Sequence, residues 1–370
     1  MSQQKKRTIL VAPLDWGLGH ATRCIPIIRA CIADGHRVIM ASSGRSLQLL
    51  VKEFPELTAI EIPSYNIYYQ KKGSFILKML AQLGKVFSGI RTEHRLTKAI
   101  VKQHGVDLII ADNRYGIWHE DIYSVIITHQ MMVKVPSFRI AEPFVYAWLQ
   151  MQHRKFDAVW IPDTKGDNNI SGDLSHKYRL PRNATFVGIL TRFRKPEIAI
   201  TSTNDVLAIV SGPEPQRSIF EALIIEQAKK IPLQFIIVQG ISENNTDLKI
   251  ADNIRVISHL PGEALFQLTL ASSIIISRGG YSTLMDLALL NKQCIFVPTP
   301  GQTEQEYLVD ALHKKNMAYG IAQDKFYLAT ALESIKTMNG FLIQSDAAAF
   351  KETLNATIAM ASVVGPATGG

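Results

Sequence analysis

The chain has 370 residues, 47% hydrophobic and 19% charged, with a net charge of +8; it is too long for one comfortable core and too apolar to be disordered, so two globular domains are expected. Its three cysteines, Cys24, Cys31 and Cys294, have no metal spacing, and no secretory leader or apolar run of about 20 residues is present, so a cytoplasmic protein is expected. The charge permits contact with anionic lipid or phosphorylated substrates, whereas no zinc-finger spacing or aromatic RNA-binding signature supports nucleic acid.

Arg7–Ala12 reads as a buried strand, followed by a loop ending in Gly17-Leu18-Gly19-His20. Ile25, Ile28 and Ile32 then space one apolar face of a helix over 21–33, and a second strand covers His36–Ala41. This β-α-β unit has a glycine turn but not the dinucleotide fingerprint: Thr22 stands at the third glycine position and no acid ends the second strand, which argues against a nicotinamide or flavin site. His20 is a candidate general base, because an imidazole with a pKa near ~6.5 takes a proton close to neutrality.

A helix at 45–54 and a strand at 57–62 lead to the distinctive stretch from Tyr65 to Gln103. Tyr65, Tyr68 and Tyr69 precede Lys71-Lys72, and Phe75, Ile76, Met79, Leu80, Leu83, Val86 and Phe87 interleave with Lys78, Lys85 and Arg91. Such a helix lies on an anionic membrane surface or packs on the core with a solvated basic side. Strands at Val106–Ala111 and Ser124–Thr128 end in Asp112-Asn113 and His129-Gln130. Ligands of open α/β sheets collect at carboxyl ends of strands, so these four residues are expected to share a cleft with His20. Asp112 is a second base or orients a hydroxyl. Phe156–Pro162 is a further strand tipped by Asp163, and polar Gly166–Lys177 reads as a surface loop. Residues 191–204, rich in Pro, Thr and Ser, read as a linker.

A new strand, Asp205–Val210, runs into the turn Ser211-Gly212-Pro213-Glu214-Pro215-Gln216. Helix 216–230, strand Leu233–Val238 and the run Arg255–Ser258, which leads to His259-Leu260, follow. Ile274–Ser277 is a short buried strand broken by Gly279-Gly280, and a helix begins at Tyr281. Ser282 and Thr283 stand where its unpaired amides would face an anion. Asp286, one turn on, suits a sugar diol. Strand Cys294–Val297 leads to the polar loop Gly301-Gln302-Thr303-Glu304-Gln305. Neighbouring strand ends thus place diphosphate-type and hydroxyl-type contacts side by side, which suits a nucleotide-sugar. Ser345 is placed to cap a last helix over 346–360.

The run Arg278-Gly279-Gly280-Tyr281-Ser282-Thr283, with Asp286 and the Gln302–Gln305 loop, resembles the sugar-donor region of the two-domain GT-B glycosyltransferases of the MurG type (family 28). Gly17–Arg23 resembles the first loop of that group and equally that of PseG-type nucleotide-sugar hydrolases. The resemblance implies an α/β fold of two Rossmann-like domains facing across a cleft: residues 1–190 binding the acceptor, 191–204 linking, 205–344 binding the nucleotide-sugar, and 345–370 a last helix and tail returning to the first domain. It implies transfer of a hexose or N-acetylhexosamine from a UDP-sugar to a sugar or lipid-linked acceptor hydroxyl, with inversion, with no metal (no D-x-D is present) and on the inner face of the membrane. Arg278, Gly279, Gly280, Ser282, Thr283, Ser211, Gly212 and Arg192 would approach the diphosphate. His259 and Leu260 would bracket the base, Asp286 the ribose, and Gln302, Glu304 and Gln305 the sugar. Gly19, Asn113, His129 and Gln130 would line the acceptor side, with His20 as base. The family carries Glu where Asp286 stands, and a Gly-Ser-Gln-Gly-type loop where Pro213 and Pro215 stand. A nucleotide-sugar hydrolase, an epimerase and a non-catalytic nucleotide-sugar-binding protein remain open as alternatives.

Overall fold

The structure, a computed structural model, describes residues 6–64, 75–134, 140–194, 203–241, 245–343 and 347–364, the side chains of 75–83, 347 and 364 aside. Tyr65, Tyr68, Tyr69, Lys71, Lys72, most of the expected linker and Ser345 lie outside the described residues.

The first half alternates β1 (Thr8–Pro13), α1 (Gly19–Ala33), β2 (Arg37–Ser42), α2 (Gly44–Glu53), β3 (Thr58–Glu61), α3 (Phe75–His104), β4 (Leu108–Asp112), β5 (Tyr123–Ile127), α4 (Glu142–His153), β6 (Ala158–Ile161), α5 (Asp173–His176) and β7 (Ala184–Phe186). The strands are short runs of Ile, Val, Leu and Ala that bury both faces, as a parallel sheet covered by helices demands; all five residues of β4 are buried. Pairing is parallel throughout, in the order β3-β2-β1-β4-β5-β6-β7.

The second half runs β8 (Asn204–Ile209), α6 (Gln216–Ala228), β9 (Phe235–Val238), β10 (Asp247–Ala251), β11 (Ile254–Ile257), α7 (Gly262–Leu270), β12 (Ser272–Ser277), α8 (Tyr281–Leu290), β13 (Gln293–Phe296), α9 (Thr303–Lys314), β14 (Tyr319–Gly320) and α10 (Leu328–Ser334). Its order is β10-β11-β9-β8-β12-β13-β14, parallel except for the exposed edge strand β10. The fold is thus two Rossmann-like sheets facing across a cleft.

Among the parallel strands each order changes direction at its centre, between β1 and β4 in one sheet and between β8 and β12 in the other. Such switch points open a crevice outside the carboxyl ends of the strands. The loop to His20 follows β1 and Asp112 ends β4; Ser211-Gly212 follows β8 and Arg278-Gly279-Gly280 follows β12. Both crevices are therefore built from the segments the sequence marks with glycine and polar residues.

The last helix, α11 (Ala347–Val364), buries Leu354, Ile358 and Ala361. It contacts β5 of the first sheet, and Phe350 meets Trp160 edge-on at 6.1 Å. Among the described residues no helix is long and apolar enough to cross a membrane.

One expectation is corrected. The polar stretch 166–177 is a surface loop only in part: Gly166, Asp167, Asn168, Asp173 and Lys177 are exposed, but it buries Ile170, Ser171, Leu174 and Ser175 and holds α5. The cause is Asp163, whose carboxylate accepts from the amides of Thr164 (2.8 Å), Ile170 (3.0 Å) and Ser171 (2.8 Å) and from the Ser171 hydroxyl. Burial pushes Asp163 up, but His176, Ser171 and these amides more than offset it and hold the carboxyl below its ordinary value.

Candidate active site between the two sheets

His20 sits in the first turn of α1, so its ring is carried over the carboxyl end of β4. Its Nδ1 lies 2.8 Å from Asp112 Oδ1. Arg23, one turn further along α1, is 2% exposed and donates to both oxygens of the fully buried Asp112. Burial pushes Asp112 up, but Arg23 and then His20 more than offset it and leave the carboxylate well below its ordinary range. Arg23 Nη2 is also 2.9 Å from His20 Nδ1. An ionised carboxylate accepts more strongly than a neutral ring nitrogen. His20 Nδ1–H and Arg23 Nη2–H therefore converge on Asp112 Oδ1, which leaves Nε2 of His20 with its lone pair, the form a general base needs.

Across the cleft, α8 begins at Gly280 and no side chain caps it, so its first-turn amides are open to an anion. The Ser282 hydroxyl donates to the Gly19 carbonyl at 2.8 Å. Glycine at 19 lets this approach stand as it is, because a Cβ there would be 2.5 Å from Ser282 Oγ and would turn that hydroxyl away. Tyr281 stacks on the His129 ring (centroids 3.7 Å apart, planes at 2°) and donates to the Pro162 carbonyl at 2.7 Å. Glu304, in the first turn of α9, takes His129 Nε2 at 2.8 Å and also accepts from Gln130. Burial holds His129 below its ordinary value even though Glu304 favours its charged form.

The structure thus brings Gly19, His20, Asp112, His129 and Gln130 of the first sheet onto Ser282 and Glu304 of the second. Gly280 and Thr283 belong to the same helix start. Ser211, Gly212, His259 and Leu260 follow β8 and β11 at the same carboxyl edge. Gly212 takes a left-handed φ of +113°, beside the Thr299 hydroxyl. Asn113 is buried, with φ +53°, directly after Asp112. Gln302 and Gln305 organise their own loop: Gln305 Nε2 donates to Gln302 Oε1 at 2.5 Å, and Gln305 Oε1 accepts from the Thr299 amide at 2.9 Å.

Three residues expected at the donor site have structural partners. Arg278 is 2% exposed; its guanidinium donates to the carbonyls of Val297 (3.1 Å), Pro298 (3.2 Å) and Gln216 (2.8 Å) and to Gln323 Oε1 (2.7 Å), and lies over Phe220. It ties strand ends together. Gly279 serves packing, because a Cβ there would meet Val309 Cγ2 at 2.3 Å. Asp286 is buried, accepts from Thr191 and lies 3.6 Å from Arg192 Nε. Burial outweighs both partners and raises its carboxyl above the ordinary value.

Arg23 and Tyr281 join the site; both stand inside the Gly17–Arg23 and Arg278–Thr283 motifs, which imply no role for either. The available signal for Arg23 was a charge three residues after His20 beside the apolar Cys24 and Ile25. For Tyr281 no sequence signal separates it from a core residue.

Residues 217–359 match the glycosyltransferase family 28 C-terminal domain. An uncharacterized glycosyltransferase of Methanopyrus kandleri is 20% identical over 323 residues, covering 82% of this chain and 88% of the relative. Among solved structures, the spinosyn rhamnosyltransferase SpnG complexed with thymidine diphosphate aligns with TM-score 0.61 at 15% identity, over 96% of this chain and 98% of that one. MurG of Acinetobacter baumannii aligns with TM-score 0.53 at 14% identity, over 98% and 96%.

Proposed function

We propose that this GT-B chain, which carries a glycosyltransferase family 28 C-terminal domain over residues 217–359, transfers a hexose or N-acetylhexosamine from a UDP-sugar to an acceptor hydroxyl with inversion. His20 Nε2 takes the acceptor proton while the acceptor oxygen attacks the anomeric carbon. The bond from that carbon to the diphosphate breaks, and its electron pair leaves on a phosphate oxygen. Asp112 holds the ring and stabilises the imidazolium that forms. The amides of the α8 start, with Ser282 and Thr283, meet the charge that grows on the leaving diphosphate, which favours the transition state over the ground state. These groups supply the positive field without a metal ion. The nucleotide-sugar class is supported by the thymidine diphosphate complex of a protein with the same fold.

The observation that carries this reading is the Ser282–Gly19 hydrogen bond at 2.8 Å. It sets an uncapped helix start beside the loop that presents a carboxylate-held imidazole. For the acceptor, exposed Ile140 and Phe144 (each 75%) and Met151 (56%) at α4, beside Phe87 of α3, support a lipid-linked molecule met at an anionic membrane surface.

A thermal-shift panel of nucleoside diphosphates and their sugar esters tests the first step, because a ligand that binds only the native state raises Tm. UDP-sugars are expected to stabilise most, and a candidate acceptor is then expected to accelerate UDP release. Free sugar released at the full rate without acceptor would replace the transferase with a hydrolase.

A further inference from the structure

An arginine can only donate hydrogen bonds, and this fixes more than the Asp112 carboxylate. Arg23 Nη1 lies 3.3 Å from His129 Nδ1. His20 Nδ1 also touches this guanidinium but has Asp112 Oδ1 to donate to; the contact of His129 Nδ1 is the donor Arg23, so it is attractive with the lone pair on Nδ1 and the ring proton on Nε2, 2.8 Å from Glu304 Oε1. A doubly protonated His129 would set an N–H against an N–H and a second cation against Arg23 in a buried space. The other faces of the ring agree. Tyr281 covers one side by stacking and spends its hydroxyl on Pro162, and the remaining charged groups nearby are Asp112, paired with Arg23, and His20.

We propose that Arg23 is a positioning residue that acts through His129: it selects the Nε2–H tautomer, and this ring, with Gln130, holds the Glu304 carboxylate across the domain boundary as the acceptor for hydroxyls of the transferred sugar. A carboxylate offers about four lone-pair directions. His129 and Gln130 occupy one on each oxygen, and 35% of the Glu304 side chain stays exposed. One lone pair per oxygen remains, which suits two neighbouring hydroxyls. The nucleoside diphosphate lies against other segments, so the relay adds affinity for the sugar and not for the nucleotide. Reading the sugar therefore depends on closure of the first sheet onto the second. This rests on the nucleotide-sugar reading above only for what Glu304 receives; the tautomer does not depend on it.

The test uses the full chain labelled with 15N-histidine. The expected spectrum shows His129 as the neutral Nε2–H tautomer from about pH 8 down through the ordinary imidazole value of about 6.5, because burial holds its pKa below that value. An Nδ1–H tautomer or an imidazolium in that range overturns the relay, whether or not any nucleotide binds. Arg23→Met keeps Nε2–H on Glu304 but frees Nδ1 to take a proton, so an imidazolium is expected to appear at a higher pH than in the parent. Where that variant does not fold, His129→Phe keeps the stack on Tyr281 and removes the N–H. It is expected to bind UDP within about twofold of the parent while losing about tenfold of the extra affinity that UDP-glucose or UDP-N-acetylglucosamine has over UDP. His129→Gln returns an N–H toward Glu304 and is expected to recover most of the loss. Equal weakening of UDP and UDP-sugars in His129→Phe would show a structural residue and overturn the proposal. If the parent binds no nucleotide or nucleotide-sugar, the proposed function fails, and the histidine spectrum still decides the relay.

Discussion

Ser282 of the second sheet and Gly19 of the first share one hydrogen bond, the Ser282 hydroxyl on the Gly19 carbonyl at 2.8 Å. The contact couples the uncapped start of α8 to the loop that presents His20. Gly19→Ala inserts a methyl that would stand 2.5 Å from Ser282 Oγ. The loop is exposed enough to shift, so Tm should change little. The alignment of base and leaving group should suffer, with kcat falling roughly 10²-fold, as expected for a misplacement of about 1 Å. Steady-state kinetics beside a melting curve checks the pair of outcomes.

Asp112 serves both the His20 ring and the Arg23 guanidinium. Its folded carboxyl lies below the ordinary value, first against the pull of burial and then through Arg23 and His20. A depressed acid stabilises the fold above its unfolded pKa of about 3.9 and loses that contribution as pH falls toward the folded value. Asp112→Asn should therefore flatten the acid limb of a stability profile. It should also destabilise at neutral pH by about 3–5 kcal/mol, because Arg23 is left buried and unpaired. Transfer should drop by roughly 10²–10⁴-fold as His20 loses its tautomer. Urea titrations from acid to neutral pH test the first two effects.

Asp286 carries the opposite sign. Burial raises its carboxyl despite Arg192 and Thr191. The ionised form is disfavoured in the fold, so this group's contribution to stability is greatest below about pH 4 and falls as pH rises toward the folded value. Asp286→Asn is expected to keep or raise Tm at neutral pH while weakening UDP binding if the ribose is read there. A lower Tm with unchanged UDP affinity would assign Asp286 to the linker contact alone.

Arg278 is a strut of the second sheet. Arg278→Ala strips donors from three carbonyls and is expected to destabilise by about 3 kcal/mol or more, read from the urea midpoint. A stable variant with selectively weaker UDP binding would return this residue to the diphosphate.

What could be read in advance follows from where information sits along the chain. Parallel strands buried on both faces are apolar runs, so β1, β4, β8 and β12 stand out, and the glycine and polar residues closing them mark the crevice edges. The edge strand β10 buries little and carries no such run. Helices α4 and α7 were passed over as well, the former with several apolar side chains exposed. The half-buried stretch 166–177 reads as solvated because its buried Ile170 and Ser171 are held by polar contacts, their amides and the Ser171 hydroxyl meeting the Asp163 carboxylate, and not by an apolar run. Pairings such as His129 with Glu304, 175 residues apart, leave no local pattern, and Arg278 is an arginine beside a glycine turn whether it serves a phosphate or a carbonyl.

The most direct measurement compares His20→Ala with the parent protein for UDP binding and for transfer from the UDP-sugar that stabilises the parent most. The account predicts UDP affinity within about twofold and a transfer rate lower by roughly 10²–10⁴-fold, as befits loss of a general base. Transfer at the parental rate in His20→Ala, or no nucleoside diphosphate bound by the parent, would contradict it.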